Sequence, residues 1–369
     1  MVYEGIREDG LNVKWIQPPN VEVSRWFSLS DPDNIWKCRE EFVEIIDHCR
    51  KVCPDSEVIL NPTSGTKQMT TAAVIAGLDM DLKMLHFITG QRRDGVVASG
   101  TEKTIHFSAR QYMAGKIAQQ AAKAIDLGAY PVAIEMLAGY RCEQPDLWEY
   151  AHCLQAWHRM DYATAQQAAN NIHQGPAEWA RFRDRLNQLN RGADCPIHAV
   201  DLYLAGKRLL KWGLYEESLA RLYRMMEMIA QVRLDREYAI RYPYKLSKMP
   251  KECIPVNAWN RMVSLRNEND NTITLGLVRL YQLLKWLGDP LGQRFESERE
   301  LFLKMLHKRN TSYVGHSRQP VAQHDVEEVL KRSKPFLCEL SPAEIPCLID
   351  EGEFPPARHF IQKSDVDVC

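Results

Sequence analysis

Residues 57–77 read Glu57-Val58-Ile59-Leu60-Asn61-Pro62-Thr63-Ser64-Gly65-Thr66-Lys67-Gln68-Met69-Thr70-Thr71-Ala72-Ala73-Val74-Ile75-Ala76-Gly77. The short apolar run Val58, Ile59, Leu60 predicts a buried strand. Pro62 and Gly65 end it, and the Ala-rich run after Lys67 predicts a helix. A strand, a polar glycine loop and a helix aim backbone N–H groups and a helix dipole at an anion or nucleotide. The loop is not a Walker A loop, because Gln68 rather than Ser or Thr follows Lys67. The plainer alternative is an ordinary strand-to-helix turn with Asn61 as its capping side chain.

Working outward, residues 1–125 read as α/β. Asp31-Pro32 has the form of a helix start, an N-cap followed by Pro in the first turn. Phe42, Ile45, Ile46, Cys49 and Val52 mark the buried face of that helix. A second apolar run, residues 84–89, ends in Gly90-Gln91-Arg92-Arg93. Strands alternating with helices predict a largely parallel sheet. Ligands of such sheets sit at the carboxyl ends of the strands, which places loops 61–67 and 90–92 together. At the start of the chain, residues 1–10 are charged, and Leu11, Val13 and Trp15 alternate as a strand.

From about residue 111 the pattern is helical. A Tyr followed three residues later by a small residue recurs at Tyr130/Ala133, Tyr162/Ala165 and Tyr215/Ser218, a pattern expected where one helix turns into the next. The first two are 32 residues apart, close to a tetratricopeptide period, but two units make no solenoid. Residues 126–190 therefore read as a helical connector. Residues 191–369 carry amphipathic helices through Ala199, Leu202, Tyr203, Leu209 and through Leu219, Leu222, Met226, Ile229. A third runs through Leu275, Val278, Leu280, Leu283 and Leu284. Met225, Met226 and Met228 are expected in the core. The architecture predicted is an α-helical bundle with an irregular tail after Pro335.

Near the end of the last predicted helix, whose apolar face is Leu301, Phe302, Met305 and Leu306, stands Arg309-Asn310-Thr311-Ser312-Tyr313-Val314-Gly315-His316. Arg holds phosphate in a planar fork at any pH, and His exchanges a proton near neutrality. These two groups suffice to cleave RNA without a metal, the ribose 2′-OH acting as nucleophile. If helical, the pair shares a face about 20° apart and roughly 10 Å apart along the axis. That span favours a cleft formed by two antiparallel copies across a two-fold axis. The spacing alone is weak, and a solvated Arg beside a surface His satisfies it equally.

Taken together the motifs are more specific. The run from Asn61 to Met69 resembles the ligand-loop signature of CARF domains, the Rossmann-like sensors of CRISPR systems. Arg309-Asn310, five residues and His316 resemble the active-site motif of HEPN ribonucleases. Sensor first and nuclease last, the chain resembles the CARF–HEPN ribonucleases of type III CRISPR systems. That resemblance implies a CARF-like domain over residues 1–125, a connector over 126–190 and a HEPN-like domain over 191–369. It implies a homodimer that binds a cyclic oligoadenylate messenger and cuts single-stranded RNA. It further implies Arg309, Asn310 and His316 as catalytic residues, and Asn61, Thr63, Ser64, Gly65, Thr66, Lys67 and Gln91 as messenger contacts. The first CARF strand and loop are missing from this reading, since residues 1–10 have no such pattern.

Bulk properties agree. The chain has 369 residues, 45% hydrophobic and 26% charged, enough for two or three domains with a sizeable core. Its net charge of −1 leaves no global basic footprint, so RNA must be met by a local patch. One candidate is Lys304, His307, Lys308 and Arg309. Another is Arg233, Arg236, Arg241, Lys245, Lys248 and Lys251, with Tyr238, Tyr242 and Tyr244 among them, although such a run is more often a solvated face. Ten cysteines show no zinc spacing, and no acidic cluster suggests a metal. No apolar run approaches the ~20 residues of a membrane span. A reducing cytoplasm, no membrane and no cofactor beyond the messenger are therefore expected. The competing reading is a catalytically idle helical adaptor with a vestigial nucleotide-binding domain.

Overall fold

A computed structural model describes residues 27, 29–63, 65–93, 96–192, 196–266, 272–311 and 320–362. They form two compact units. One comprises the described residues up to Lys123 with 132–148 and 361–362; the other comprises 124–131 and 149–360. The strand expected around Leu11, Val13 and Trp15 lies outside the described residues.

The first unit is α/β. Helix α1 (Ile35–Val52) buries Cys38, Phe42 and Ile46. They pack against Met69, Ala72, Ala73 and Ala76 of α2 (Lys67–Asp79). Helix α1 starts later than expected. Asn34 is its N-cap, with Oδ1 accepting from the N–H of Trp36 (3.1 Å) and Lys37 (3.2 Å). Pro32 sits in the preceding turn, where its carbonyl accepts from the Thr66 hydroxyl at 3.3 Å. Strands β1 (Leu85–Thr89), β2 (Arg92–Arg93), β3 (Val96–Val97) and β4 (Lys103–Phe107) follow α2. The described pairing departs from the parallel expectation: β1 pairs with β4, and β2 with β3, antiparallel. The physical reason is the connection. A short hairpin, β2–β3, returns the chain beside β1, where a parallel partner needs a crossover helix. Helix α2 is such a crossover, and Leu60 bridges Leu85 in parallel, the His86 N–H donating to the Leu60 carbonyl at 2.9 Å.

Helices α3 (Ala109–Asp126) and α4 (Tyr130–Leu137) lead on to α5 (Pro145–His158), α6 (Tyr162–Asn170), α7 (Trp179–Asn190), α8 (Pro196–Lys211) and α9 (Tyr215–Tyr238). All three Tyr–small patterns mark helix starts, and each follows the same corner. The residue two before the tyrosine is left-handed: Gly128 (φ 77°), Met160 (φ 62°) and Gly213 (φ 77°). The next N–H reaches back five residues: Ala129 to Ala124 (2.9 Å), Asp161 to Ala156 (3.0 Å), Leu214 to Leu209 (2.9 Å). This is a Schellman turn. The three corners stack, with Tyr130, His158 and Trp212 rings 5.7–6.0 Å apart. The small residues Ala133, Ala165 and Ser218 are fully buried, and the Ser218 hydroxyl donates to the Gly206 carbonyl at 2.7 Å.

The rest of the second unit is a helical bundle with a small ribbon. It contains β5 (Tyr244–Lys245), α10 (Val256–Val263), β6 (Thr272–Ile273) and α11 (Leu277–Trp286). Helices α12 (Pro290–Ser297), α13 (Arg299–Thr311), α14 (Gln323–Cys338) and α15 (Ile345–Asp350) complete it. Helix α9 packs against α8, α11, α13 and α14, and Met225, Met226 and Met228 are buried in one core with Leu222, Leu280, Phe302 and Phe336. The expected irregular tail is partly ordered: α14 continues through Pro335, and α15 follows. Pro335 falls in the last turn, where a helix tolerates it better than at its centre. No helix among the described residues is long and apolar enough to cross a membrane.

Candidate functional site

Two sites follow from the sequence, one in each unit. In the second unit, α13 carries Arg309 and Asn310 in its last turn, and Asn310 is exposed. His316 lies outside the described residues. The aim of α13 is set by a ring stack. Tyr281 of α11 stacks on Phe295 of α12 (centroids 4.3 Å, 10°), and Phe295 on Phe302 of α13 (5.3 Å, 11°). Phe336 of α14 meets Phe302 edge-on at 5.3 Å. Tyr281, fully buried, donates its hydroxyl to the Met226 carbonyl at 3.0 Å, so the stack is tied to α9. Such pairs contribute about 0.5–1.5 kcal/mol each beyond area burial.

The site is clipped a second time. Lys308, next to Arg309, donates to the Asp325 carboxylate of α14. The other oxygen of Asp325 accepts the Ala322 N–H at 3.3 Å, closing the first turn of α14, and His324 Nε2 lies 3.2 Å from the carboxylate. Burial works to raise the Asp325 carboxyl, but its bonds to Lys308 and the Ala322 N–H outweigh it and hold the carboxyl below its ordinary value. The helix that ends beyond Arg309 and the helix that begins after residue 320 are thereby joined. Sequence reasoning found Lys308 as a cation but missed Asp325, whose signal was its place three residues after Ala322 at a helix start.

In the first unit the loop between Leu60 and α2 is built from its own polar side chains. Asn61 Oδ1 accepts the Thr63 N–H at 3.1 Å and the Thr63 hydroxyl at 2.5 Å. The Thr63 hydroxyl in turn accepts the Ile88 N–H at 2.8 Å. This bond ties the loop to the carboxyl end of β1, just before Gly90 and Gln91. Gly65 has φ 116°, a conformation that suits glycine. Thr66 caps α2, its hydroxyl accepting the Met69 N–H at 3.2 Å while donating to Pro32. Lys67 is the first residue of α2 and is exposed. Gln91 is exposed, its N–H donating to the Thr101 hydroxyl at 3.0 Å and its carbonyl accepting the Ala98 N–H at 2.7 Å. Ser64 lies outside the described residues. Asn61, Thr63 and Thr66 thus shape the loop through their side chains. The exposed Lys67 ammonium at the positive end of α2 is the group that suits an anion.

Among the described residues no three His, Cys, Asp or Glu side chains gather in a way that could hold a metal ion.

Residues 188–337 match the family model of the Csm6 HEPN domain. That segment contains Arg309, Asn310 and His316 as well as the ring stack and Asp325. The fold is similar to that of Enterococcus italicus Csm6 bound to cyclic hexa-2'-fluoro-hexa-dAMP, with a TM-score of 0.58 and 13% sequence identity. The similarity covers 86% of this chain and 78% of that one. No curated protein sequence matches the chain. The family model thus marks residues 188–337 as similar to the HEPN domain of Csm6, and the fold over most of the chain is similar to that of Csm6.

Proposed function

We propose that the protein is a cyclic-oligoadenylate-regulated, metal-independent endoribonuclease that cuts single-stranded RNA in CRISPR antiviral defence. The observation that carries this reading is that Arg309-Asn310 and His316 all fall inside the segment that matches the Csm6 HEPN domain, with Arg309-Asn310 in the last turn of a helix pinned by the Phe302 stack. His316 moves the proton between the 2′-OH and the leaving oxygen. Arg309 stabilises charge building on the phosphorane, the kind of preorganised electrostatic term that dominates such reactions. Asn310 positions the phosphate or Arg309. The products are a 2′,3′-cyclic phosphate and a 5′-hydroxyl. Two copies supply the cleft: on a continuous helix one Arg–His pair seven residues apart would span too far for a single phosphate.

The sensor is the loop before α2. Lys67 and the N–H groups beside Gly65 meet messenger phosphate, with Asn61, Thr63, Ser64 and Gln91 around ribose or base and Thr66 holding the helix start. A cyclic oligoadenylate is favoured because the similar Csm6 structure contains a cyclic hexanucleotide analogue. In this proposal residues 1–125 sense, 126–190 connect and 191–369 cut.

The test is cleavage of a fluorescent single-stranded RNA in EDTA, with and without cyclic tetra- or hexa-adenylate. Cleavage switched on by one ring size supports the whole reading. Cleavage without a messenger supports only the nuclease. Absence of cleavage from folded dimer under every condition removes it and leaves the adaptor.

A further inference from the structure

The segment from Arg236, in the last turn of α9, to Arg266, before α11, has no role in the site described above. It carries seven basic side chains (Arg236, Arg241, Lys245, Lys248, Lys251, Arg261, Arg266) against two acidic ones, Glu237 and Glu252, in a chain of net charge −1. Glu268 and Asp270 follow just beyond it, outside the described residues. All seven basic residues are exposed. A solvated face of this kind usually balances its charges along the helix. Here the alternation is of another sort. Tyr244, Leu246, Met249, Ile254, Ala258 and Met262 are buried between the cations, in the same core as Phe302. The segment is therefore an anchored platform, fixed to the body that carries Arg309, with its cations outward. It begins at the end of α9, where Ala239 is left-handed (φ 52°) and the Ile240 N–H reaches the Leu234 carbonyl at 3.0 Å. It is pinned again where β5 pairs with β6 and where Arg266 bridges Ile273.

Aromatic side chains lie among the cations. Tyr242 is 71% exposed, its ring edge-on to the buried Tyr244 at 5.7 Å. Half-buried Trp259 lies under the Lys251 ammonium at 5.6 Å, and Trp286 under the Arg261 guanidinium at 5.4 Å. An exposed tyrosine is a poor way to keep a surface soluble, but it is a stacking surface for an unpaired base. Outward cations spaced along an anchored strand-and-turn segment match a flexible polyanion better than a folded acidic protein.

We propose that this platform binds the backbone of single-stranded RNA and guides it to the HEPN cleft, with Lys245, Lys248 and Lys251 on phosphates and Tyr242 stacked on a base. The inference rests on the ribonuclease reading for its purpose, but it can be tested without cleavage.

The experiment uses the full chain and a fluorescent 20-mer RNA with 2′-O-methyl riboses, which cannot supply the nucleophile. Anisotropy titrations at several salt concentrations compare the wild type with K245E/K248E/K251E, with the milder triple Lys→Gln variant, and with Tyr242→Ala. Circular dichroism and size exclusion verify fold and oligomeric state. The triple reversal is expected to weaken binding at least about tenfold and to flatten the salt slope by about 2, since each neutralised phosphate of a single strand contributes roughly 0.7. Tyr242→Ala is expected to weaken binding about fivefold or more with the slope unchanged. Unchanged affinity in the triple variants overturns the proposal, as does a change explained by lost self-association. Wild-type cleavage of unmodified RNA with no effect of these variants leaves the nuclease standing and removes the platform. Platform-dependent binding without any cleavage does the reverse.

Discussion

Lys308 on α13 and Asp325 on α14 form an ion pair that joins the helix carrying Arg309 to the helix that begins beyond residue 320. Asp325 makes this contact while capping Ala322, so one carboxylate both closes a helix start and sets the separation of two helices. His316 belongs to the stretch of chain between those two fixed points.

Asp325→Ala is expected to destabilise the second unit by about 1–2 kcal/mol, the sum of a missing cap and a partly exposed pair. It should lower kcat more than it raises KM. Asp325→Asn retains an acceptor for the Ala322 N–H and should restore most of the stability but less of the rate. The pH sign follows from the depressed carboxyl. The folded group ionises below its unfolded counterpart, so its stabilisation is present at neutral pH and is lost as pH falls from the ordinary carboxyl range through the depressed folded value. Thermal melting of wild type and Asp325→Asn at pH 7 and pH 3 checks this: the gap between them should shrink at the lower pH. An unchanged gap would sink the assignment.

Substitution at the motif should separate chemistry from folding. His316→Ala and Arg309→Ala are each expected to reduce cleavage by about 10²–10³ or more, as for other preorganised charge and proton-transfer groups. Asn310→Ala should reduce it by about tenfold, since Asn310 is exposed and carries no charge. Melting temperature should stay within about 2 °C for all three, because Phe302 and Met305 join α13 to the core. Surviving cleavage in purified His316→Ala would refute the mechanism.

Much of this architecture could be read before the structure, and the parts that could not share a physical cause. Phe302 and Met305 recur at helical spacing, so α13 and the placement of Arg309 at its end were legible. So were the three corners at Tyr130, Tyr162 and Tyr215, because a small residue three positions on has to lie against a neighbouring helix. The antiparallel pairing of β1 with β4 was not, since strand direction depends on the length of a connection and the short β2–β3 hairpin has little apolar pattern. The stack of Tyr281, Phe295 and Phe302 and the Lys308–Asp325 pair join residues 7 to 17 positions apart across different helices. Periodicity along one helix carries no information about such contacts. At α1 the Asp31-Pro32 signal was overridden by Asn34, whose carboxamide takes two N–H groups at once.

The loop before α2 offers a clean division between two adjacent residues. Thr66 caps α2, whereas Lys67 is exposed at the first helical position. Thr66→Ala should destabilise the first unit by about 1 kcal/mol, and Thr66→Ser should restore it. Lys67→Ala should leave melting unchanged and raise the messenger concentration needed for half-maximal RNA cleavage by about tenfold, because one phosphate loses its cation. Should Lys67→Ala respond to the messenger as the wild type does, the lysine has no part in binding.

Two glycines give opposite expectations from the same substitution. Gly292 lies where α12 crosses α11 so closely that a Cβ would stand 2.1 Å from the Lys285 nitrogen and 2.6 Å from the Leu284 carbonyl carbon. Those are backbone atoms, so the helices themselves must part, and overpacking of this kind costs about 1–3 kcal/mol or more. The same displacement would move Phe295, which stacks on Phe302, and so should misplace α13 and lower cleavage even below the melting transition. Gly115, within α3, has open space around its Cβ position. Gly115→Ala should stabilise its helix by about 0.5–1 kcal/mol, because alanine restricts the unfolded chain. Differential scanning calorimetry of the two variants, with RNA cleavage assayed at 25 °C, measures both effects. A Gly292→Ala protein that melts and cleaves like the wild type would show that the α11–α12 crossing does not set the position of Arg309.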